Sequence, residues 1–573
     1  MTNQAKMIAG YEEERFSRIK SDANFPIQSI KKIFELHPPR KDINNYLYIS
    51  HWYDDFLFYE KDNIKKERFD RKFIQNLIEE YGFKLRTINE FFTHHDAHAH
   101  AAKAFYDFYN KNKDNGIVGI IVADGFGNWQ EVISVYEYDS RNNDVTKIAH
   151  FNEYQKSLGL MYQYATAFCG MKENQDEYKF LGYESHIKEV LSQEDIEKLL
   201  YELELDCDQQ YAKLLSPTKL KYKWGRLLVP DCRDDKYIKL DDLQKTRDMW
   251  YRYLNFLCVK YACTENFDKK VLVGFVIQTI IENIICRIIK AAGFDKVILS
   301  GGIFYNVKLN NAVMNKVKKI GILPPAGDQG AAIGVYYKTE GKDVHPFDFN
   351  NFLIGKRDLN CDHLDSEIFK IENNVWYLKN RDELIERVVT KLKNNEIVSV
   401  VTGDMEFGPR ALCNTSTFAL PNEDNVALIN TLNGRSTVMP MAPIMTIDNL
   451  EYFFEKEQIQ KIVGSYHYMI ITLDYKKKII KKELDKYRGI MHKYPLEDKY
   501  SGRPQVVFNE HFMYEVLKQL EPEYRALINT SFNVHGRPIV YSAKDAIDDY
   551  KYQLKQKKGR LIPTSINLII ADI

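Results

Sequence analysis

The chain has 573 residues, enough for roughly two to four domains. Hydrophobic residues make up 45% and charged residues 28%, an ordinary globular balance, with 38 Tyr and 32 Phe to build large cores. The 80 basic and 80 acidic residues cancel, which argues against a protein that coats a phosphate backbone, although a local basic groove stays open. The cysteines at 169, 207, 232, 258, 263, 286, 361 and 413 form no C-x-x-C pair, which fits a reducing cytoplasm rather than a disulfide framework. No apolar run reaches about 18 residues and no signal peptide is evident, so no membrane is expected.

Residues 1–50 read as a strand, a turn and a helix. Met7–Tyr11 is a short apolar piece before Glu12-Glu13-Glu14-Arg15, and Tyr46–Ser50 reads as another strand. Gly116–Ala123 is a buried-strand run that ends in Asp124-Gly125. Val271–Ile289 reads as a long apolar helix, and Lys296–Ser300 as a strand running into Gly301-Gly302. Strands alternating with helices, with glycine at the strand ends, predict an α/β architecture whose ligands lie at the carboxyl ends of strands. The pattern breaks across 340–380, where a boundary is expected between a unit spanning 1–355 and a second α/β unit spanning 376–573. Strands are predicted in the second unit at Ile397–Val401, Tyr468–Leu473 and Ala526–Asn529.

His94-His95-Asp96-Ala97-His98-Ala99-His100 holds four of the 14 histidines. On a helix His94 and His98 share one face, a turn apart, as in other H-x-x-x-H metal sites. Asp124, at the exit of a buried strand, and Asp328, in the turn Pro324-Pro325-Ala326-Gly327-Asp328-Gln329-Gly330, are the candidate remaining ligands. Two imidazoles with two carboxylates suit Fe(II), Mn(II) or Zn(II). His95 and His100 face other directions and read as supporting residues.

Several segments together resemble one family. They are Glu13-Glu14-Arg15-Phe16-Ser17-Arg18-Ile19-Lys20 with Asp22 and Phe25-Pro26, the HHxAH run, Asp124-Gly125, Ser157-Leu158-Gly159 and Glu177-Tyr178-Lys179. Gly301-Gly302-Ile303-Phe304-Tyr305-Asn306-Val307-Lys308-Leu309-Asn310 and the Pro-Ala-Gly-Asp turn continue the order. Glu406-Phe407-Gly408-Pro409-Arg410-Ala411-Leu412, Asn414, Arg435 and Asn529-Thr530-Ser531-Phe532-Asn533 complete it. The pattern resembles the nodulation-protein and cephem-type O-carbamoyltransferases along nearly the whole chain.

The resemblance implies an N-terminal actin-like ATPase (ASKHA) domain, similar to the threonylcarbamoyl-transferring subunit, followed by a YrdC-like domain. It implies that the second domain makes carbamoyl adenylate from carbamoyl phosphate and ATP, and that the first passes the carbamoyl group to an acceptor hydroxyl. By the same resemblance His94, His98, Asp124 and Asp328 hold Fe(2+) or another divalent metal, and Lys20 stabilises charge on the reacting carbamoyl. Gly301, Gly302 and Asn306 approach the nucleotide, with Mg(2+) as a further candidate cofactor. Arg410, Arg435, Arg503 and Ser531 bind the anion, with Asn529 and Asn533 in the same turn. A homodimer is compatible with the pattern.

The chain also departs from the family. Met1 lies just before the strand that follows the family's G-x-x-H-D-A-S turn, so either the chain begins downstream of its natural start or the enzyme works without that histidine; His51 is no evident substitute. Thr415 and Met439 stand where the family carries arginines, and Asn433 at a lysine-like position. Each charge-assisted bond to an ion contributes about 1.5–3 kcal/mol, so carbamoyl phosphate is expected to bind weakly, and arginine restored at 415 and 439 to strengthen it. Two further readings follow. One is a partner or regulatory subunit with a degenerate second domain. The other keeps the chemistry but changes the acceptor to a hydroxymethylated nucleotide or DNA base. The acceptor would be chosen by loops around 200–250, which carry no readable signal.

Overall fold

The computed structural model describes residues 92–110, 116–127, 130–214, 221–223, 226–228, 240–340, 347–361, 374–435, 441–521, 523–560 and 564–573, preceded by 14–18, 20, 27–36, 45–48, 79 and 83–86. Met7–Tyr11, Ser50, His51 and Met439 lie outside these residues.

The first half is built on a five-stranded sheet. Its helix α1 (His94–Tyr109) starts where Thr93 and Asp96 form a capping box, each side chain taking the other's backbone N–H. The apolar run after it forms β1 (Ile117–Ala123), buried along nearly its whole length. Next come β2 (Glu131–Asp139) and β3 (Asp144–Asn152). The long helix α2 (Asn266–Ala292) leads into β4 (Lys296–Ser300), α3 (Val307–Met314), β5 (Lys319–Ile322) and α4 (Asp328–Glu340). The strand order is β3-β2-β1-β4-β5, antiparallel on the β2–β3 side and parallel from β1 to β5.

Helix α2 contains a stretch of mean hydropathy 1.8, apolar enough by composition to cross a membrane, where the sequence reading found none. Here 72% of that stretch is buried within the protein, which accounts for its character as a core helix.

The second half is built on seven strands: β6 (Val375–Leu378), β7 (Ile397–Thr402), β8 (Thr415–Ala419), β9 (Ala442–Met445), β10 (Gln505–Val506), β11 (Leu527–Ser531) and β12 (Ile566–Ala571). Their order is β6-β12-β7-β8-β11-β9-β10, a mixed sheet with antiparallel β7–β8, β8–β11 and β11–β9 pairs. The chain is thus a mixed α/β protein with several sheets.

The two halves interlock. Phe347, Phe349 and Phe352 are buried, although they fall where the sequence pattern breaks. Ile320 on β5 bonds Lys461 and Val463 through its backbone, so a piece of the second half lines the edge of the first sheet.

The expected strands at Gly116–Ala123, Lys296–Ser300, Ile397–Val401 and Ala526–Asn529 occur within two residues of those limits. Tyr468–Leu473 is different: only Leu473–Asp474 is strand. Met469 has φ +54°, which breaks an extended run. The carbonyls of Ile470 and Thr472 are taken instead by the Asn310 and Asn311 side chains of α3, at 2.7 and 2.9 Å. The segment's apolar residues pack against the core without a sheet neighbour, which alternation alone cannot foresee.

Candidate active site

Two constellations lie on either side of the contact between the Gly408 and Pro325 turns. The first is assembled from three elements. Helix α1 presents His94 and His98, the end of β1 presents Asp124, and the start of α4 presents Asp328. Close packing makes this meeting feasible. A Cβ at Gly334 on α4 would lie 1.7 Å from the Ala97 carbonyl of α1, so only glycine lets the helices approach this far. At Gly301, φ is +104° and a Cβ would lie 2.1 Å from the Ala123 carbonyl, so the turn after β4 tucks against the Asp124 turn. Ser157 caps the helix Leu158–Phe168 and its hydroxyl donates to the Gly125 carbonyl, fixing the turn from the other side.

The resulting geometry is tight. His94 Nε2 lies 3.1 Å from His98 Nε2, 3.4 Å from Asp124 Oδ2 and 3.1 Å from Asp328 Oδ1. His98 Nε2 lies 3.4 Å from Asp124 Oδ2 and 3.7 Å from Asp328 Oδ1. One ligand atom from each of the four falls within 4.8 Å of all the others, the spread of donors around a single ion. His98 Nδ1 is 3.1 Å from Ser300 Oγ, which orients the ring and leaves Nε2 for the cluster. Asp124 Oδ1 accepts from Gly125 N at 2.7 Å, which likewise leaves Oδ2.

The charges show what the cluster wants. Burial opposes a charge on His94, but Asp328 and Asp124 override it and raise the imidazole to about 10. Burial and Asp328 push Asp124 upward, yet hydrogen bonds from His94 and His98 draw it down to about 2. Asp328 is also held below the usual carboxylate range, against local desolvation, chiefly by the His94 charge. Its side chain is nevertheless 74% exposed, so solvent screens that attraction. A proton here does the work a divalent cation could do, and the open side at Asp328 leaves room for further ligands. The donor set therefore fits the expected metal.

His95 supports the cluster from behind. Its Nδ1 lies 2.7 Å from Ser134 Oγ, which itself donates to Glu131 Oε1 at 2.6 Å. Burial lowers the His95 imidazole well below its ordinary value.

The second constellation is cationic. Arg410 follows Gly408-Pro409 in a turn whose shape is set by Glu406: one carboxylate oxygen accepts from the backbone N–H of Leu412, Asn414 and Thr415 at 2.9, 2.9 and 2.8 Å. This turn rests on the Asp328 turn, since a Cβ at Gly408 would lie 3.8 Å from Pro325 Cβ. Arg15 reaches across from the N-terminal region to donate to the Gly408 carbonyl at 2.9 Å. Arg435 donates to Thr530 Oγ1 at 3.2 Å and Asn533 Oδ1 at 3.0 Å, so it stands beside Ser531. Burial lowers Arg410 and Arg435, and it lowers Arg503 well below the ordinary value with Arg410 adding like-charge repulsion. Among the described residues no carboxylate lies within ion-pair distance of any of these three. Arg410 Nε is buried without a partner. Half-buried guanidinium groups with no carboxylate partner are the chemistry that would receive an anion.

Other expected site residues are placed as follows. Lys20 Nζ donates to the Gln175 carbonyl at 3.2 Å and the Tyr178 hydroxyl at 3.3 Å, at the edge of the arginine cluster. Gly302 sits against Asp124, a Cβ there falling 3.0 Å from Oδ1. Asn306 caps α3 through Leu309 N at 3.0 Å and donates to Gln278 Oε1 at 2.7 Å, so its side chain is engaged inside the protein. Asn529 donates to Gln505 Oε1 at 2.5 Å and to the Ala411 carbonyl at 3.2 Å, tying β11 to the Arg410 turn. Ser531 Oγ donates to Asn533 Oδ1 at 2.7 Å.

The missing family cations look different in three dimensions. Thr415 is fully buried on β8 and its Oγ1 accepts from Arg357 at 3.0 Å. Arg357 donates also to the carbonyls of Gly403, Thr402 and Asn414 at 2.8, 2.7 and 3.1 Å, so it clamps the strand ends instead of facing a ligand. An arginine at 415 would bring a second guanidinium onto Arg357, while Met439, the other position of the expected pair, lies outside the described residues. Asn433 is fully buried and accepts from Gln553 at 2.8 Å, away from an open pocket.

Tyr178, Lys179 and His535 were not singled out as site residues from sequence. Lys179 Nζ lies 2.6 Å from Asp176 Oδ1 and 2.7 Å from His535 Nδ1, joining the halves. The Glu177-Tyr178-Lys179 motif was the available signal, but nothing in it says that a short helix reaches across the cleft.

Comparison with known proteins agrees with this two-part layout. Residues 60–336 match the family model for the carbamoyltransferase N-terminus and residues 389–556 that for the carbamoyltransferase C-terminus. An uncharacterized protein of Methanocaldococcus jannaschii is 25% identical over 559 residues, 95% of this chain and 93% of that one. The nodulation protein NolNO of Sinorhizobium fredii is 23% identical over 577 residues, 96% of this chain and 76% of that one. Among solved structures, a variant of P. abyssi Sua5 aligns with 14% identity and a TM-score of 0.23 over 34% of this chain and 49% of that one, too slight a likeness to place the fold. Both terminal models match in order along one chain, with relatives that run almost its full length, and the chain belongs to the carbamoyltransferase family of enzymes.

Proposed function

We propose that the chain is an ATP-dependent O-carbamoyltransferase, in which a YrdC-like second half makes carbamoyl adenylate and an ASKHA-like first half passes the carbamoyl group to a hydroxyl. The observation that carries this reading is the pairing of two unlike sites across one contact between turns. A donor set suited to a cation and an arginine set suited to an anion are held together by the contact of the Gly408 and Pro325 turns. A phosphate-bearing reactant satisfies both.

In this reading Arg410, Arg435 and Arg503 neutralise the phosphoryl oxygens of carbamoyl phosphate and ATP, because guanidinium groups match such oxygens in pairs. Lys20 approaches the reacting carbamoyl from the rim. Fe(II), or a like divalent ion, would be held by His94, His98, Asp124 and Asp328 and would supply a Lewis acid for a phosphate or carbonyl oxygen. The Gly301-Gly302 turn gives the nucleotide close access to backbone beside Asp124. In the transfer step the acceptor oxygen bonds the carbamoyl carbon, the bond from that carbon to the phosphate oxygen breaks, AMP leaves, and the acceptor proton goes to solvent. Carbamoyl adenylate is a mixed anhydride, so the interlocked halves serve to keep water away from it.

The test is incubation of the protein with ATP, carbamoyl phosphate, Fe(II) and a panel of hydroxyl compounds, read by mass spectrometry. Pyrophosphate, AMP and an acceptor carrying one added carbamoyl group are expected. Absence of pyrophosphate release under every metal condition would overturn the reading.

A further inference from the structure

Tyr178 belongs by chain position to the first half, in the short helix Glu177–Phe180. The next residue, Lys179, nevertheless reaches His535 of the second half at 2.7 Å, two positions from the Asn533 side chain that holds Arg435 at 3.0 Å, and Arg410, Arg435 and Arg503 all feel the Tyr178 phenol electrostatically. Lys20 Nζ lies 3.3 Å from the hydroxyl and 4.7 Å from the ring centre, and Lys179 Nζ lies 5.6 Å from the ring centre. Two lysines thus flank the phenol, on the side of the short helix that meets the turn holding Arg435. Of the neighbouring carboxylates, Asp176 is committed to Lys179 at 2.6 Å and Glu177 accepts from the Asn174 backbone N–H. Tyr178 is 43% exposed, while Phe180 two positions on is fully buried. A large aromatic left accessible among unpaired guanidinium groups is placed to meet whatever anion they bind.

We propose that the Tyr178 hydroxyl is a direct ligand of the phosphoryl group held by Arg410, Arg435 and Arg503, so that the first half completes the anion site of the second. This rests on the assignment of those arginines to phosphoryl binding. A neutral phenol donates one hydrogen bond to a phosphoryl oxygen, whereas a phenolate would repel it. The cations around the empty site draw the phenol below its ordinary value against the effect of burial. A bound dianion cancels that pull and keeps the donor protonated.

Inorganic phosphate and pyrophosphate serve as probes, titrated calorimetrically into the full chain. Tyr178→Phe keeps the ring and the Lys20 ammonium 4.7 Å from its centre, and removes the hydroxyl with the one hydrogen bond it accepts from Lys20. The expected result is pyrophosphate binding weakened about tenfold, with the melting temperature unchanged. Arg410→Ala is run alongside. If Arg410→Ala loses pyrophosphate but Tyr178→Phe binds it like the wild type, the role of Tyr178 is wrong and the arginine site stands. If neither variant changes binding, both assignments fall.

Discussion

Around His94 and His98 every charge has an opposite within 4 Å; around Arg410, Arg435 and Arg503 no described carboxylate does. The first cluster balances two imidazoles against two carboxylates and is coherent even before a ligand arrives. The second is held in place by backbone carbonyls, a capped turn and neighbouring strands, with its charge left over. Ion-pair clusters can also be structural, whereas buried like charges persist only where the fold over-determines them and a ligand repays the cost. The contrast makes the arginine cluster the stronger sign of chemistry and the histidine cluster the stronger sign of a bound ion.

The sharpest separation of the two comes from deleting a ligand in each. His98→Ala or Asp328→Ala is expected to take bound metal from roughly one ion per chain to none, as measured on anaerobically purified protein, while pyrophosphate release persists. Full metal content in a His94/His98 double variant would sink the assignment. Arg410→Ala is expected to do the reverse, lowering pyrophosphate release by about ten- to a hundredfold with metal retained, since a lost charge-assisted bond is worth about 1.5–3 kcal/mol. An unchanged release rate would remove Arg410 from the anion site.

A subtler break attacks the frame and spares the ligands. Gly334→Val places a Cβ against the Ala97 carbonyl, so α4 must shift and carry Asp328 away from the imidazoles. Destabilisation by about 1–3 kcal/mol with weakened metal binding is expected in denaturant and metal titrations. Thr415→Arg should lower the melting temperature and leave carbamoyl phosphate affinity no better, because a second guanidinium would be forced onto buried Arg357. A gain in affinity would mean that the strand end opens toward the pocket.

The smallest effect is a pH dependence of the metal-stripped protein. His94 is raised from its ordinary 6.5 to about 10, so its proton stabilises the fold fully below pH 6.5 and that contribution fades as pH rises through about 10. Melting temperature should therefore decline across that window, and His94→Gln should flatten the decline. Screening at the exposed Asp328 keeps the effect small.

Much of this arrangement could be read in the residues. The i, i+4 spacing of His94 and His98 behind a Thr93–Asp96 capping box announces a helix with two imidazoles on one face. Asp124 lies where a continuous apolar strand ends, and Arg410 follows a Gly-Pro pair. Other features were hidden. Gly334 looks like an ordinary helical glycine until Ala97 is seen against it, and Thr415 looks like a lost cation until Arg357 is seen beside it. Asn306 sits in a nucleotide-like motif, yet its amide caps a helix.

What the sequence determined by itself is local: which stretches are helix or strand, which side chains share a face, and which turns need glycine, since these depend on neighbours a few residues away. Tertiary structure alone decided what meets across distance. It set Asp328 against His94 over 234 positions of chain, brought the Tyr178 helix against the other half through Lys179 and His535, and gave the carbonyls of Ile470 and Thr472 to asparagines in place of a sheet. Those meetings depend on packing and on where buried polar groups find partners, and neither is written in any one segment.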